Sequence, residues 1–456
     1  MKWLPKTFGS RVLLIGLLVL AGYGQTKTWK LANSRYPNDG SLGVGMDFYQ
    51  FRWVPFWARK QGLTNFYSPE SRKEMGEYSR RRQWDVVLTD SERQAAWSNF
   101  LMYKGGMGAV GTPFFYTVFG YTRTPRYERD LAGYRLLLLF ISELTILLLC
   151  RGLSFSLTRT VAVFALFCYW FKPYSGLLEV SNVNHLQLGF VGACALSCRY
   201  LGKWGGPVLA GAVIGFALMF KPNPIFAAAL FYLVYLARRD FARFFVASFS
   251  GLLAVIAAFV MSSQFFWGPS IWQSWLNRTS KALQSSNDWN LSMVARFREW
   301  TGINIELYCL VGLLLLAAAL TLWSKGAIRS ARASPANEFR QTLLVMGVGL
   351  MIPLVAFRVV WEHYFTLAIP LILYLFRPTT SPTGARTRYI LTGVAVALLM
   401  DIPELLSFPR DGSRDMVMYG LGSLILLALG LVELTKSEPA EQLPEEQLFS
   451  ELSTPV

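Results

Sequence analysis

The chain has few soft metal ligands: two His, His185 and His363, and five Cys with no CxxC pair among its 456 residues. That pattern excludes a His-rich metal site and a zinc knuckle. Because Cys150, Cys168, Cys194, Cys198 and Cys309 all fall inside apolar runs, it also argues against a disulfide framework. Any metal would have to be held by oxygen, and no DxD cluster occurs. Charge is scarce too, at 16% of residues, where soluble domains carry about a quarter. The acids are outnumbered, 28 against 44 Lys plus Arg, for a formal charge of +16. This scarcity excludes an ordinary soluble domain. The 15% aromatic content and a mean hydropathy of +0.35 exclude a disordered basic tail. A polytopic, all-α membrane protein remains.

Apolar runs recur about twelve times, with cores at Val12 to Tyr23, Leu136 to Leu149, Val161 to Phe171, Leu186 to Cys198, Val208 to Phe220 and Ile225 to Ala237. The others are Phe244 to Met261, Leu307 to Trp323, Leu343 to Phe357, Phe365 to Phe376, Tyr389 to Met400 and Val417 to Val432. Several fall short of the roughly 20 residues a span needs. The first is also the size of a signal-peptide core. With the N-terminus inside, the short cytoplasmic stretches hold 18 Lys and Arg and the short outer ones 8; the long first loop is exempt from the count. This bias predicts both termini in the cytoplasm of a multi-pass cell-membrane protein, with a signal-anchor span over 1–24, outer loops over 25–132 and 267–305, transmembrane cores over 133–266 and 306–435, and an acidic tail over 436–456.

The chemistry-bearing residues gather on the outer face. Asp47, in Gly45-Met46-Asp47-Phe48-Tyr49, is a carboxylate among apolar and aromatic neighbours, where desolvation would raise its pKa toward that of a general base. A helix cap or a salt bridge to Arg52 is the structural alternative. Lys221, in Phe220-Lys221-Pro222-Asn223-Pro224, follows a span at a point where two prolines break the helix, so it could grip a phosphate or simply snorkel. Arg358, Trp361, Glu362, His363 and Tyr364 crowd the outer end of another span. Asn182 and Asn184 open the span at His185, and Asn290 lies in the second long loop; all three could be helix caps.

Other motifs carry less. Thr89-Asp90-Ser91-Glu92 is a capping box opening a helix whose apolar stripe suits the membrane interface. The GxGxxG match at Gly106 to Gly111 follows no strand. Arg80-Arg81-Arg82 reads as a solvated or lipid-headgroup face, and Glu143, inside a span, as a functional candidate whose structural alternative is a buried pairing with Arg135 or with a neighbouring span.

The aromatic-flanked Asp47, Asn182-Val183-Asn184, Gly211-x-x-x-Gly215 leading to Lys221-Pro222-x-Pro224, Asn290-x-Ser292 and Trp361-Glu362-His363 come in the order of one family. The chain resembles glycosyltransferase family 87 over roughly Met46 to Phe376. It departs from the pattern at Ser181-Asn182, where Gly-Gln is usual, and at Tyr364, where a second His often stands. The resemblance implies a GT-C-like bundle of about 12 transmembrane helices with interfacial helices in a large first extracytoplasmic loop. It implies an inverting transfer of a sugar, typically mannose, from a polyprenyl-phosphate donor to a hydroxyl of a glycolipid or glycan acceptor, with no cofactor and no nucleic acid. In that scheme Asp47 is catalytic, Lys221, His363 and Arg358 hold the donor phosphate, and Asn182, Asn184, Asn290, Trp361 and Glu362 contact substrate. A transporter or lipid flippase is the rival class, but the expected internal repeat is not apparent.

Overall fold

In the computed structural model, the described residues are 7–33, 45–104, 108–124, 126–282, 291–323, 334–357, 360–379, 382–400 and 412–436. Among them there are helices and no strands. The helices are α1 (Phe8–Asn33), α2 (Met46–Lys60), α3 (Pro69–Arg82), α4 (Asp90–Lys104), α5 (Pro113–Tyr121), α6 (Tyr127–Gly152), α7 (Leu157–Tyr169), α8 (Lys172–Val180), α9 (Asn184–Tyr200), α10 (Gly202–Phe220), α11 (Ile225–Ala237), α12 (Phe241–Phe265), α13 (Ser270–Ala282), α14 (Met293–Thr301), α15 (Glu306–Trp323) and α16 (Pro335–Ala356). A 3-10 segment (Glu362–Ala368) then leads into α17 (Ile369–Leu375), α18 (Pro382–Leu398) and α19 (Gly412–Thr435). Arg358, Asn290 and the acidic tail beyond Lys436 lie outside the described residues.

Among the described residues, six helices are long and apolar enough to cross a membrane: α6, α10, α12, α15, α16 and the Val417–Thr435 part of α19. A seventh span arises if α7 and α8 are one bent crossing, and Ile225–Ala237 and Glu362–Leu375 are shorter apolar helices. The protein is thus an all-α polytopic membrane protein. Other apolar runs form shorter or broken helices, as at the end of the Val161 to Phe171 run. There the chain leaves α7 and restarts at Pro173, in the first turn of α8, a position where proline's missing N–H costs nothing.

The bundle is arranged around α16, of whose apolar window 89% is buried, whereas in α12 and α15 those shares are 17% and 11%. The outward faces of the latter, including Phe245, Phe249, Leu252, Leu307 and Leu315, are exposed and suit lipid. α10 and α12 pack closest: a Cβ on Gly211 would meet the Ala247 carbonyl at 2.0 Å, and one on Gly215 the Gly251 carbonyl at 2.2 Å. This is small-residue packing of membrane helices.

Charged pairs close one end of the bundle. Glu338, near the start of α16, takes Arg243 at 2.9 Å and Arg238 at 3.3 Å, while Glu433 takes Arg377 at 2.9 Å and Arg388 at 3.4 Å. The α2–α5 region gathers at the other end.

In that region half of the capping box forms: Thr89 Oγ1 accepts from the Glu92 N–H at 3.3 Å and starts α4, while the Glu92 carboxylate faces Arg82 at 3.5 Å and Arg52 at 3.9 Å. The buried side of α4, with Ala95, Ala96, Ser98 and Asn99, packs on α3 and α2, and the Asn99 amide donates to Ser79 Oγ at 2.8 Å. The small residues of the expected stripe therefore pack on protein, and Trp97 is left exposed.

Candidate functional site

Asp47 is the second residue of α2. The helix is entered through Gly45, whose φ of 74° is the left-handed conformation that glycine adopts without a Cβ penalty. Gly45 is pinned from two sides: its N–H donates to the Glu179 carbonyl at 2.8 Å, and its carbonyl accepts from the Tyr127 hydroxyl at 3.3 Å. In the first turn, unpaired backbone N–H groups favour a negative charge. Arg52 is not its partner. That guanidinium pairs with Asp130 at 2.9 Å and Glu92 at 3.9 Å, because a residue five positions on lies roughly 140° around the helix axis.

The partner of Asp47 comes instead from the turn between α8 and α9. Ser181, with φ 56°, ends α8 and presents Asn182, whose Nδ2 donates to Asp47 Oδ2 at 2.6 Å. The Asn182 carbonyl oxygen accepts from the Val183 N–H at 2.7 Å and from Lys221 Nζ at 3.4 Å. One carboxamide therefore bridges the acid and the lysine. Asn184, opening α9, accepts from Lys221 Nζ at 3.0 Å through Oδ1 and donates through Nδ2 to the His363 carbonyl at 3.2 Å.

Lys221 ends α10 in an extended conformation, φ −155° and ψ 116°. Its ammonium does not snorkel; it turns inward over the ring of Tyr364 at 4.6 Å. Thr112 holds the end of α10 by donating to the Met219 carbonyl at 2.6 Å while capping α5. His363 is buried on the 3-10 segment, edge-on to Tyr364 at 4.9 Å and 5.8 Å from Trp361. Asp47, Asn182, Asn184, Lys221 and His363, expected from sequence, thus meet at one end of the bundle. Trp361 and Glu362 flank them on the 3-10 segment.

Burial raises the Asp47 pKa from 3.8 to about 6, against the opposing pull of the Asn182 hydrogen bond and the Lys221 charge. Burial lowers Lys221 to about 8, with Asp47 acting the other way. Burial, and after it the Lys221 charge, also pushes the His363 imidazolium pKa well below its usual value, so the ring is neutral near pH 7. Asp47 Oδ2, Asn182 Oδ1 and Asn184 Oδ1 already accept bonds from Asn182 or Lys221.

Several residues of the site do not stand out in the sequence. Arg135 of α6, 1% exposed, reaches the Leu178 carbonyl at 3.1 Å, Ser181 Oγ at 3.0 Å and the Glu179 carbonyl at 3.2 Å. It closes the end of α8 that carries Asn182 and shares the Glu179 carbonyl with Gly45. Of the two pairings open to Glu143, with Arg135 or with a neighbouring span, the second is found: it takes a hydrogen bond from Gln25 of α1.

Gln187 donates to the Lys221 carbonyl at 3.2 Å, and the Tyr116 hydroxyl donates to Gln50 Oε1 at 3.4 Å. Gln50 Nε2, Gln187 Oε1, the Tyr134 hydroxyl and His363 Nε2 are buried with no hydrogen-bond partner among the described residues. Orphaned buried polar atoms are what a hydroxyl-rich ligand would satisfy. Gln50 and Gln187 stand three residues after Asp47 and Asn184, one helical turn along the same faces, and that spacing is the signal that could have found them.

Residues 110–356, just over half of the chain, match glycosyltransferase family 87. The matched stretch includes Asn182, Asn184 and Lys221 but neither Asp47 nor His363. No curated protein and no solved structure matches.

Proposed function

The chain belongs to glycosyltransferase family 87, and from that premise we propose that this membrane glycosyltransferase moves mannose from a polyprenyl-phosphate donor to an acceptor hydroxyl, with inversion, on the extracytoplasmic side. The observation that carries the reading is the bridge Asp47, Asn182, Lys221, which sets a carboxylate of raised pKa one carboxamide from a buried ammonium.

A lipid-linked donor keeps its phosphate at the membrane surface, where Lys221 ends its span. Asp47 takes the proton of the acceptor hydroxyl as its oxygen bonds to the anomeric carbon. The bond from that carbon to the phosphate oxygen breaks, and polyprenyl phosphate leaves with the electron pair, turning a β-linked donor into an α-glycoside. The Lys221 charge and, where it reaches, Arg358 offset the charge on the leaving phosphate. His363, neutral in the resting site, contributes a hydrogen bond through Nε2 rather than a full charge. Asn182 and Asn184 orient both ends; Asn290, Trp361 and Glu362 are assigned to substrate contact.

The placement outside, with both termini in the cytoplasm, is supported by the Lys and Arg bias of the short loops. Family membership speaks against the transporter reading.

The test is to incubate purified protein with radiolabelled polyprenyl-phosphate-mannose and a glycolipid extract. Label should move to glycolipid, and Asp47→Asn should lower the rate by about 10² to 10⁴, the range for loss of a general base. Near-normal turnover in that folded variant would remove Asp47 from the chemistry, and no transfer from this donor by the wild type would refute the donor class.

A further inference from the structure

Gln50 of α2 is anchored at one end of its carboxamide and unanswered at the other. It is 2% exposed and follows Asp47 by three positions, which sets the two side chains roughly 60° apart around the helix axis, on neighbouring turns of one face. Gln50 Oε1 accepts from the Tyr116 hydroxyl at 3.4 Å, and the Tyr116 oxygen in turn accepts from the Gly111 N–H at 3.3 Å. Gln50 Nε2 is buried with no hydrogen-bond partner among the described residues.

The anchor starts from a fixed loop. Tyr67 donates its hydroxyl to the Gly111 carbonyl at 2.7 Å, and a Cβ on Gly111 would meet the Phe115 ring at 2.7 Å, so only glycine brings its N–H up to Tyr116 here. That chain of bonds also decides which end of the carboxamide is free. Tyr116 is fully buried, and burial raises its pKa, so the phenol keeps its proton. The proton needs an acceptor, and turning the amide over would set Nε2 against it and leave it unanswered. The free end is therefore a donor. A buried amide N–H without a partner is costly, and a ligand oxygen would satisfy it.

The anchoring also tells which substrate the donor faces. In the proposed transfer the attacking oxygen lies at Asp47 and the departing phosphate at Lys221, and inversion puts them on opposite faces of the sugar. Gln50 rides on the helix of Asp47 and is fastened to α5, whereas Lys221 is held by Asn182 and Asn184. Tyr116 feels the Asp47 charge, which agrees with an anchor beside the acid.

We propose that Gln50 is a specificity-determining residue for the acceptor: its Nε2 donates to the hydroxyl oxygen next to the one that Asp47 deprotonates. This rests on the transferase reading and deepens it. The attacked hydroxyl then belongs to a vicinal diol, and holding its neighbour orients the attacking oxygen before it reacts.

The test uses the full chain with radiolabelled polyprenyl-phosphate-mannose and a glycolipid extract, and reads KM for extract and for donor separately. Gln50→Met, which keeps length but has no amide, should raise KM for the extract about tenfold or more, as expected for losing a buried hydrogen bond, and leave KM for the donor unchanged. Tyr116→Phe keeps Gln50 but frees its orientation, so it should raise the same KM by less; this second variant keeps the proposal testable if Gln50→Met does not fold. Extract opened with periodate and reduced with borohydride loses its vicinal diols but keeps isolated alcohols, and wild type should no longer transfer label to it.

An unchanged extract KM in folded Gln50→Met, a rise in both KM values together, or undiminished transfer to periodate-treated extract overturns the proposal. The reading beneath it has its own readouts. A wild type that moves no label fails the donor class and the proposal with it. Normal turnover in Asp47→Asn beside a raised extract KM in Gln50→Met removes the base and leaves Gln50 in place; an inactive Asp47→Asn beside an unchanged Gln50→Met sinks the Gln50 assignment alone.

Discussion

Asn182→Ala should move the acid limb of the pH–rate profile upward. In the proposed mechanism the rate needs Asp47 ionised and Lys221 protonated, which puts the limbs of the wild-type profile near the resting values of about 6 and about 8. Asn182 Nδ2 stabilises the ionised carboxylate at 2.6 Å, so its loss favours the protonated form. A hydrogen bond to a charged group contributes about 1.5 to 3 kcal/mol, and one pH unit corresponds to about 1.36 kcal/mol, so the Asp47 limb should rise by roughly one to two units. At pH 6 the half-ionised wild type should then exceed the variant by roughly five- to fiftyfold, with the gap narrowing toward the upper limb. The assay is kcat/KM for sugar transfer from pH 5 to 9 at constant ionic strength, with thermal unfolding of the variant as the folding control. A uniform rate loss at an unmoved acid limb would show that Asn182 positions substrate without tuning Asp47. A limb displaced downward would refute the account of the pair altogether.

EDTA should leave transfer intact if Lys221 neutralises the leaving phosphate; complete inhibition rescued by Mg²⁺ or Mn²⁺ would assign that role to a metal. Arg135→Gln should cost on the order of 3 kcal/mol of stability, since it strips charged donors from buried acceptors at the end of α8. Its kcat/KM should also fall more than that of an equally destabilised variant at the Glu433 end, because Asn182 loses its support. Equal rates at matched stability would reduce Arg135 to a structural role.

Asp47 and Lys221 are legible in the sequence because each sits at a discontinuity of pattern: a lone acid among aromatics after a span, and a lone base between an apolar run and two prolines. Asn182 and Asn184 are legible as polar residues opening a span, but not as the bridge between acid and lysine, since a capping Asn and a bridging Asn look alike until α2 and the end of α10 are placed beside them. Arg135 shows the opposite failure. An arginine and a glutamate two turns apart on α6 invite pairing, yet Arg135 satisfies three acceptors at the end of α8, a demand set by tertiary packing alone. The crossings are harder to read at runs such as Val161 to Phe171, since apolar content measures burial and cannot tell one straight span from two helices bent at a break.

If Asp47 is the base and Lys221 holds the donor phosphate, as proposed, the electrostatics of the bridge should make donor binding a switch for the base. In the resting site the Lys221 charge lowers the Asp47 pKa, opposing the larger upward push of burial. A donor phosphate held by Lys221 would offset that positive charge, exclude further water from the carboxylate and leave the upward push less opposed. Asp47 should therefore become a stronger base only once the donor is in place, the sequence a transferase needs if it is not to activate hydroxyls without a sugar to transfer. Since kcat/KM reports the free enzyme and kcat the substrate complex, the acid limb of the kcat profile should lie above that of kcat/KM in the same pH series. Lys221→Gln removes the opposing charge permanently, so its kcat/KM acid limb should start at the higher position and the difference between the two profiles should shrink. Coincident limbs in the wild type, or an undiminished difference in Lys221→Gln, would show that the lysine charge does not govern the base.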